Sequence, residues 1–391
     1  MNTIGIDSGF ALSGNPVLIS CHTPLGGSAG ITRLVVDMEG ERLHECLVTP
    51  PVTVNISEII DEYIPFITEL PAGNTQPVYR VETETDWLSR TVDVWAENDE
   101  GDKLPAVSFK AFRGGISNQN IRLFADAGQD VFTSRFCNYS GNFFLTTRSW
   151  SWRVVIKETE LEPLYFVFNR SNGKLKIVDK SSGESSTYVI SSKGVYAIDV
   201  KALRRSFFDT LNVLSSSFDI YVDDAFSCSV VISRSAPATE RRLLRFRNSF
   251  GVFESMEIVG EMKASVLHSE DEDRTFSRYD AITDGFISER LRPDSTLSYS
   301  CSIVLSNRDS CGFIMDMLGS DEVYLIGLAA PVRVIPSVDE FSYNVRPVKP
   351  ENINVVLTVD TSETFGTQNI SSVEDSRKPK IFSEQFSNQF N

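Results

Sequence analysis

The residues best placed for acid–base chemistry are three glutamates at alternate positions, Glu158, Glu160 and Glu162. Glycoside hydrolysis needs two carboxyl groups about 5–10 Å apart, so a polysaccharide depolymerase is one hypothesis for this chain. The simpler interpretation is the acidic end of a β-hairpin, because nothing in the sequence marks one carboxyl group as the acid and another as the base.

Other catalytic chemistries have few candidate residues. The chain has three histidines, His22, His44 and His268, and a serine or cysteine nucleophile needs a histidine that is itself oriented by an acid. Cys21 precedes His22, but no flanking residues indicate an activated nucleophile. The acidic segment 98–102 lacks the spacing of a calcium-binding loop. The sequence therefore predicts no enzyme activity, no cofactor and no metal site.

Two tryptophans offer a different kind of site. Trp150 and Trp152 are two residues apart, so on a β-strand both indole rings would lie on the same face. An exposed pair would provide a platform for stacking sugars or a ridge at a protein interface. Paired tryptophans in a β-sandwich are also common core residues. The sequence leaves both alternatives open, a binding surface for glycan or protein and a buried position.

The composition favours proteins or glycans as partners. The 391 residues include 37 Lys and Arg and 53 Asp and Glu, for a formal net charge of −16. Acidic residues spread along the chain argue against nucleic-acid binding. One basic patch alternates with apolar residues as in a half-buried strand; it consists of Arg241, Arg242, Arg245 and Arg247. We expect these arginines to form ion pairs with the acidic residues of the chain, because buried arginines are usually paired.

The sequence also predicts a soluble protein made in a cytoplasm. No uninterrupted apolar stretch approaches the roughly 20 residues that a membrane-spanning helix needs. The first seven residues lack the basic and apolar segments of a secretory signal. The six cysteines form no CxxC pair, and we expect them to be buried free thiols.

Short alternating apolar runs, separated by turn residues, repeat along nearly the whole chain. This pattern predicts a mainly β fold made of several antiparallel β-sandwich-like domains with a few short helices. The segments 89–97 and 104–112 are predicted to pair as an antiparallel hairpin. The segments 164–168 and 174–179 are predicted to pair in the same way around the Asn-Gly turn that separates them.

Short helices are predicted at three places. One follows Asn55, where Glu58 completes a capping-box pattern. Another lies between residues 200 and 214, and a third has Phe313 and Met317 on its apolar face.

A chain of this length predicts two or three domains. We predict an N-terminal β-sandwich-like unit with a short helix at 1–75, a central β-rich hairpin domain at 76–262 and a second β-sandwich-like unit at 263–367. An extended C-terminal arm follows at 368–391.

The C-terminal arm carries three phenylalanines at a spacing of four residues, Phe382, Phe386 and Phe390. Exposed phenylalanines are unfavourable in water. We therefore expect the arm to fold onto its own chain or onto a neighbouring copy, and we favour a subunit interface in which the arm is exchanged between copies.

One segment has a distinctive sequence. Residues 242–254 contain Arg-Phe-Arg-Asn-Ser-Phe-Gly, and together with residues 14–17 and 163–166 they resemble uncharacterised β-rich proteins of tailed bacteriophages and of prophages of gut anaerobes. The resemblance covers residues 10–340 loosely and supplies no catalytic residues. It implies a component of the virion or of the tail tip.

These observations predict a non-enzymatic structural component of a phage virion, associated with the tail or baseplate. The expected partners are other virion proteins and further copies of the same chain, without nucleic acid or membrane insertion. The first alternative is an adhesin of the phage tail that binds a glycan or receptor on the host surface. The second alternative is the polysaccharide depolymerase.

Overall fold

The structure is a computed structural model. It describes residues 2–4, 9–22, 32–64, 66–67, 69–81, 88–97, 103, 106–212, 214–235, 237, 240–268, 275–290, 295–305, 308–328, 330–342 and 350–363. Half of the described residues lie in strands and 14% in helices, and most of the sheets are antiparallel. The predicted mainly β class with a few short helices is therefore confirmed.

The elements are as follows in chain order. The first nine strands are β1 (Asn2–Ile4), β2 (Phe10–Leu12), β3 (Leu18–Cys21), β4 (Thr32–Met38), β5 (Glu41–Val48), β6 (Val52–Asn55), β7 (Val78–Arg80), β8 (Ser89–Glu97) and β9 (Val107–Phe112). The next seven are β10 (Arg153–Lys157), β11 (Leu164–Phe168), β12 (Gly173–Asp179), β13 (Ser185–Ile190), β14 (Gly194–Ile198), β15 (Ser217–Val222) and β16 (Ala225–Ser233). The last nine are β17 (Arg241–Arg247), β18 (Phe253–Val259), β19 (Lys263–His268), β20 (Thr275–Asp280), β21 (Gly285–Arg290), β22 (Ser295–Leu305), β23 (Val323–Ile326), β24 (Val332–Ser337) and β25 (Glu351–Glu363). The helices are α1 (Ser57–Tyr63), α2 (Asn118–Asp126), α3 (Val200–Leu211) and α4 (Arg308–Leu318), and a π-helical turn covers Phe132–Phe136.

The described strands form six sheets. Their strand orders are β1-β3-β6, β2-β9-β8-β4-β5, β11-β14-β7, β10-β16-β15-β12-β13, β18-β17-β23-β24-β25-β22-β19 and the two-stranded β20-β21. The pairs β2–β9 and β10–β16 are parallel, and the other described pairs are antiparallel.

One of the two predicted hairpins is confirmed and the other is wrong. Strands β8 and β9 pair antiparallel, with Ser89 opposite Phe112. Strand β11, in contrast, pairs with β14, whereas β12 pairs with β13 and β15 in another sheet. All residues of β11 are buried, whereas β12 buries only alternate residues. A strand that is buried on both faces needs protein on each side, so β11 belongs to an inner layer and β12 to an outer sheet.

The sheet β11-β14-β7 is this inner layer. Leu164, Phe166 and Phe168 contribute to a core shared with β12, β15, β16 and α3. Tyr165 and Val167 contribute to a second core on the opposite face of the sheet. That second core is rich in aromatic rings and draws on distant parts of the chain: Phe10, Phe112, Phe132, Phe136 and Phe250.

The strand pairings cross two of the predicted domain limits. Strands β8 and β9 pair with β4 and β2, which precede residue 75. Strand β17 pairs with β23, on the other side of residue 262. The Pro/Gly-containing segment near residue 75 is held against the rest of the chain, because the Pro77 carbonyl accepts a hydrogen bond from Asp199 N at 2.8 Å. The division into domains stays a prediction, but its limits do not separate sheets.

The three predicted helices are confirmed as α1, α3 and α4. The start of α1 differs from a capping box, because Asn55 Oδ1 accepts hydrogen bonds from Val17 N and Ser57 N. Helix α2 and the π-helical turn were not predicted. Helix α2 has no buried residue, so its apolar face is only partly covered by the rest of the fold.

Candidate functional site: a polar junction and two exposed apolar surfaces

The Arg-Phe-Arg-Asn-Ser-Phe-Gly segment ends β17 and lies where the sheets meet. Phe246 is buried in the core of the seven-stranded sheet, and Phe250 is buried in the aromatic core. Arg245 donates hydrogen bonds to Glu162 at 2.9 Å and to the Pro71 carbonyl at 3.0 Å. The segment therefore joins parts of the chain that are far apart in sequence.

Asn248 occupies the centre of this junction. Its side-chain amide group donates to the Leu145 carbonyl at 3.0 Å and to Glu254 at 2.7 Å. Its Oδ1 atom accepts from the backbone N–H groups of Phe250 and Val252. All hydrogen-bonding groups of a buried amide are satisfied here, which fixes the turn that follows β17.

Three of the four arginines of the basic patch form the expected ion pairs, whereas Arg242 donates to the Arg241 carbonyl and shows no ion pair among the described residues. Arg245 pairs with Glu162, Arg241 pairs with Glu257 at 2.8 Å, and the buried Arg247 pairs with Glu322 at 2.6 Å. These contacts are consistent with a structural role for the patch.

The three glutamates of the depolymerase hypothesis lie in the same region. Glu160 is buried and pairs with Arg148 at 2.7 Å and Lys157 at 3.6 Å. Burial raises the pKa of Glu160, but the charges of these two partners outweigh it and hold the pKa below its ordinary value. Glu162 also accepts a hydrogen bond from Ser255 at 2.6 Å, and Glu158 is exposed. A glycosidase acid needs a raised pKa, and Glu160 has the opposite shift.

The carboxyl group with a clearly raised pKa is that of Asp316, on α4. Burial of the carboxyl group raises its pKa to about 6, although hydrogen bonds from Ser249 and Thr147 act in the opposite direction. Thr147 Oγ1 lies 2.6 Å from Asp316, and Ser249 N lies 3.0 Å from it. The group therefore links α4 to the junction, and it lines a polar cavity of about 310 Å³ together with Asp61 and Arg113.

The two tryptophans are exposed, so the core alternative is wrong. Trp150 is 55% exposed and Trp152 is 54% exposed. They precede β10 and have different neighbours. Trp150 meets Phe250 edge to face, with ring centroids 6.2 Å apart, and Trp152 meets Phe226 at 6.1 Å. They are therefore not a strand pair on one face, as alternate strand residues would be.

A cleft lies beside Trp150, on both sides of α2, and we call it the α2 cleft. It consists of two cavities of about 440 and 490 Å³. Both are lined by Ile116, Phe124, Gln129 and Val131, and Trp150, Phe136 and Phe250 also line the second. On the helix itself Leu123 is 63% exposed. The cleft is thus apolar and aromatic, and its volume is in the range of binding cavities.

Arg135 lies next to Trp150 at the edge of this cleft. Its guanidinium carbon is 5.4 Å from the centre of the Trp150 ring. Its Nη2 atom is buried and has no hydrogen-bond partner among the described residues. Burial of the guanidinium group lowers the pKa of Arg135 below its ordinary value.

The second exposed apolar surface is the ribbon of β20 and β21, which we call the β-arm (Thr275–Arg290). It continues the hairpin of β19 and β22, in which His268 lies opposite Ser295. Ile282 at its tip is 94% exposed, and Phe286 is 77% exposed. Tyr279 packs on Phe286 with ring centroids 5.7 Å apart. Nothing in the alternating pattern of apolar residues indicated that the apolar side chains of this ribbon would face solvent.

The remaining sequence predictions lie partly outside the described residues. Phe382, Phe386 and Phe390 belong to the part of the chain that is not described. The six cysteines are described and free, as expected. In the described part of the chain, no helix is long and apolar enough to cross a membrane. Within the same residues, no group of three or more His, Cys, Asp or Glu side chains is arranged to hold a metal ion.

Comparison with known proteins gives no match: neither a protein-family model nor a curated protein matches the chain.

Proposed function

We propose that this chain is a non-enzymatic structural component of a tailed-phage virion, associated with the tail or baseplate, which assembles with other virion proteins and with copies of itself. The β-arm is the observation that supports assembly most directly. Soluble monomers rarely expose contiguous apolar surface, and a two-stranded ribbon is at best marginally stable alone in water. A neighbouring subunit would cover the side chains of Ile282 and Phe286.

The junction supports the same proposal. A subunit in a tail must keep its shape while neighbours pack around it. Buried ion pairs and a fully bonded Asn248 connect the sheets here, and such contacts specify one arrangement of packed elements. The position in the virion rests on the resemblance of residues 242–254, 14–17 and 163–166.

The C-terminal arm remains part of this proposal. Phe382, Phe386 and Phe390 would anchor it on a neighbouring copy, in addition to the β-arm.

Light scattering at several concentrations tests the assembly. We expect the full-length chain to form an oligomer, and both the Phe286→Ser variant and a chain ending at residue 370 to shift towards monomer. Val189→Ser is the matched control, because Val189 is 75% exposed on β13, away from the β-arm. A monomeric full-length chain, together with infectious virions that lack residues 371–391, would argue against the proposal.

Electron microscopy of virions labelled with an antibody against the chain tests the location. We expect label on the tail or baseplate. Virions without label, or with label on the capsid only, would contradict the predicted location.

A second candidate function is glycan binding by a tail adhesin, and the exposure of Trp150 and Trp152 favours it. Exposed indole rings stack on sugars. We expect binding to a glycan array to be lost on Trp150→Ala or Trp152→Ala and kept in Val189→Ala. An array without binding to the full-length chain would remove this candidate.

A further inference from the structure

We propose that the tip of the β-arm docks in the α2 cleft of a second copy of the chain. This inference rests on the proposed function, because it names the surface that receives the arm during assembly. The partner is a further copy of the same chain, and the contact is between two different surfaces of the molecule.

The side chains at the tip suit the cleft. Ile282 and Phe286 are the most exposed large apolar residues of the β-arm, and Tyr279 stacks beside Phe286. The cleft is lined by aliphatic and aromatic side chains, among them Ile121 and Phe124. Each of its two cavities has a volume of several hundred Å³, which is enough for large side chains to enter.

The hydrogen bonds at the tip leave the apolar side chains free to project. Asp280 accepts from Ile282 N and Thr283 Oγ1, and Asp284 accepts from the Tyr279 hydroxyl at 2.6 Å. These bonds close the turn by using its polar groups locally. The apolar side chains of Ile282 and Phe286 remain exposed to solvent.

The charged residues near the two surfaces favour docking of the β-arm tip in the α2 cleft. The tip has two carboxylates, Asp280 and Asp284, close to its apolar residues. Beside the cleft, the Arg135 guanidinium lies against the Trp150 ring, and Arg122 is exposed on α2. Asp130 lines the first cavity, and its carboxylate accepts hydrogen bonds from Phe132 N and Thr133. A carboxylate from the tip would provide an acceptor for the Arg135 side chain.

The arrangement has a geometric consequence. A contact between two different surfaces is either exchanged reciprocally within a two-fold dimer or repeated from copy to copy in a closed ring or an open filament.

Disulfide cross-linking between two full-length variants tests the contact directly. One preparation carries Ile282→Cys, the other carries Leu123→Cys, and the two are mixed and oxidised. We expect a cross-linked pair in the mixture that is absent from either variant alone. Ile282→Cys mixed with Val189→Cys is the control, and wild-type chain measures the background from the natural cysteines. A yield no higher than in the control would overturn the proposal, and so would equal cross-linking of Ile282→Cys with itself.

The double variant with both cysteines identifies the occupant. We expect either a dimer that is cross-linked twice, if the arms are exchanged reciprocally, or a ladder of cross-linked copies from a ring or a filament. A cross-link within single chains would overturn docking on a second copy. A cross-link of Leu123→Cys to Phe386→Cys, in place of Ile282→Cys, would assign the cleft to the C-terminal segment and overturn the proposal as well.

Measuring the self-association of variants distinguishes a failure of this inference from a failure of the proposed function. We expect Phe286→Ser and Arg135→Gln each to weaken self-association by about tenfold or more, as for central interface residues. If Phe286→Ser weakens association but no cross-link to Leu123→Cys forms, the docking site is wrong while the proposed function stands. If the wild-type chain stays monomeric and the virion assembles without it, both fail.

Discussion

Gly251 shows how little space the junction leaves. Its φ angle is +81°, and a Cβ atom at this position would collide with the Arg113 carbonyl oxygen. Gly40 has a similar φ of +86° but no atom within 4 Å of a Cβ. Both positions favour glycine, but only Gly251 is also sterically restricted.

We therefore predict that Gly251→Ala destabilises the protein by roughly 1–3 kcal/mol more than Gly40→Ala. The left-handed backbone costs about the same in both variants, and the collision adds to it only at the junction. Urea denaturation of the two variants and the wild type measures the difference. Equal losses of stability would contradict the packing described here.

Asp316 predicts a dependence of stability on pH. Its folded-state pKa of about 6 lies above its ordinary value of 3.8. The folded protein therefore binds the proton more tightly than the unfolded chain does. The resulting stabilisation is fully present below about pH 4 and is lost as the pH rises through 6.

For Asp316→Asn we expect a smaller change in unfolding free energy between pH 4 and 7, by up to about 3 kcal/mol relative to the wild type. Denaturation curves across this range measure it, and Asp309→Asn, an exposed position on the same helix, is the control. If Asp316→Asn and wild type show parallel pH profiles, the carboxyl group does not titrate in this way.

For single residues, the sequence predicted which charged groups need a partner better than it predicted where each partner lies. The ion pairs of Arg241, Arg245 and Arg247 were predictable, because arginines within an apolar strand need partners. The contacts of Asp316 were not, since its partners Ser249 and Thr147 are 67 and 169 residues away in sequence. Tertiary packing alone brings them together.

Helices α2 and α3 differ in how far they are buried in the fold. Ser117 caps α2 by accepting from Asn120 N, and Asp199 caps α3 by accepting from Ala202 N at 2.9 Å. Helix α3 packs Leu203 and Phe207 into the central core, whereas α2 has no buried residue. A helix gains most of its stability from packing of an apolar face.

Loss of each cap should therefore have different effects. Asp199→Ala should lower global stability by about 1 kcal/mol. Ser117→Ala should leave global stability nearly unchanged and increase local amide exchange in α2, because this helix opens without the core. Denaturation and hydrogen exchange of both variants test the pair. A global loss in Ser117→Ala as large as in Asp199→Ala would show that α2 is part of the cooperative fold.

The elements also show where sequence patterns fail. The apolar patterns predicted the mainly β fold and three helices, since the spacing of apolar residues reflects which face of an element is buried. It could not predict that β11 and β12 belong to different sheets, because a turn signal is local and the choice of partner depends on burial of both faces. Helix α2 was missed although its apolar residues Ile121, Phe124 and Ala125 have helical spacing.

In the whole molecule, the part of the chain that forms the central core is shorter than the predicted central domain at 76–262. The buried residues of the central core all lie between Tyr139 and Ile232. The strands β8 and β9, which the predicted domain includes, pair with strands of the preceding unit. An excised fragment should keep its structure when it contains its own core.

We predict that a fragment of residues 76–235, which keeps β7 beside β14 together with the central core, unfolds cooperatively. Fragments 1–75 and 263–367 should not fold, because cutting at these limits exposes paired strand edges. Circular dichroism during thermal unfolding of each purified fragment tests this. Cooperative unfolding of fragment 1–75 or 263–367 would restore the predicted domain limits.

The length and position of β25 have a mechanical consequence. This strand ends the described part of the chain and pairs with β22 from Glu351 to Glu363 and with β24 beside it. A force on the C-terminal residues, directed along this strand, would act in shear on its inter-strand hydrogen bonds. All of these bonds would then carry the load at once, so that they would break together. Tension on a C-terminal attachment would then pass into the seven-stranded sheet before any strand peels away. Pulling single molecules from residue 391 should show one high-force rupture, whereas a series of small steps would indicate unzipping.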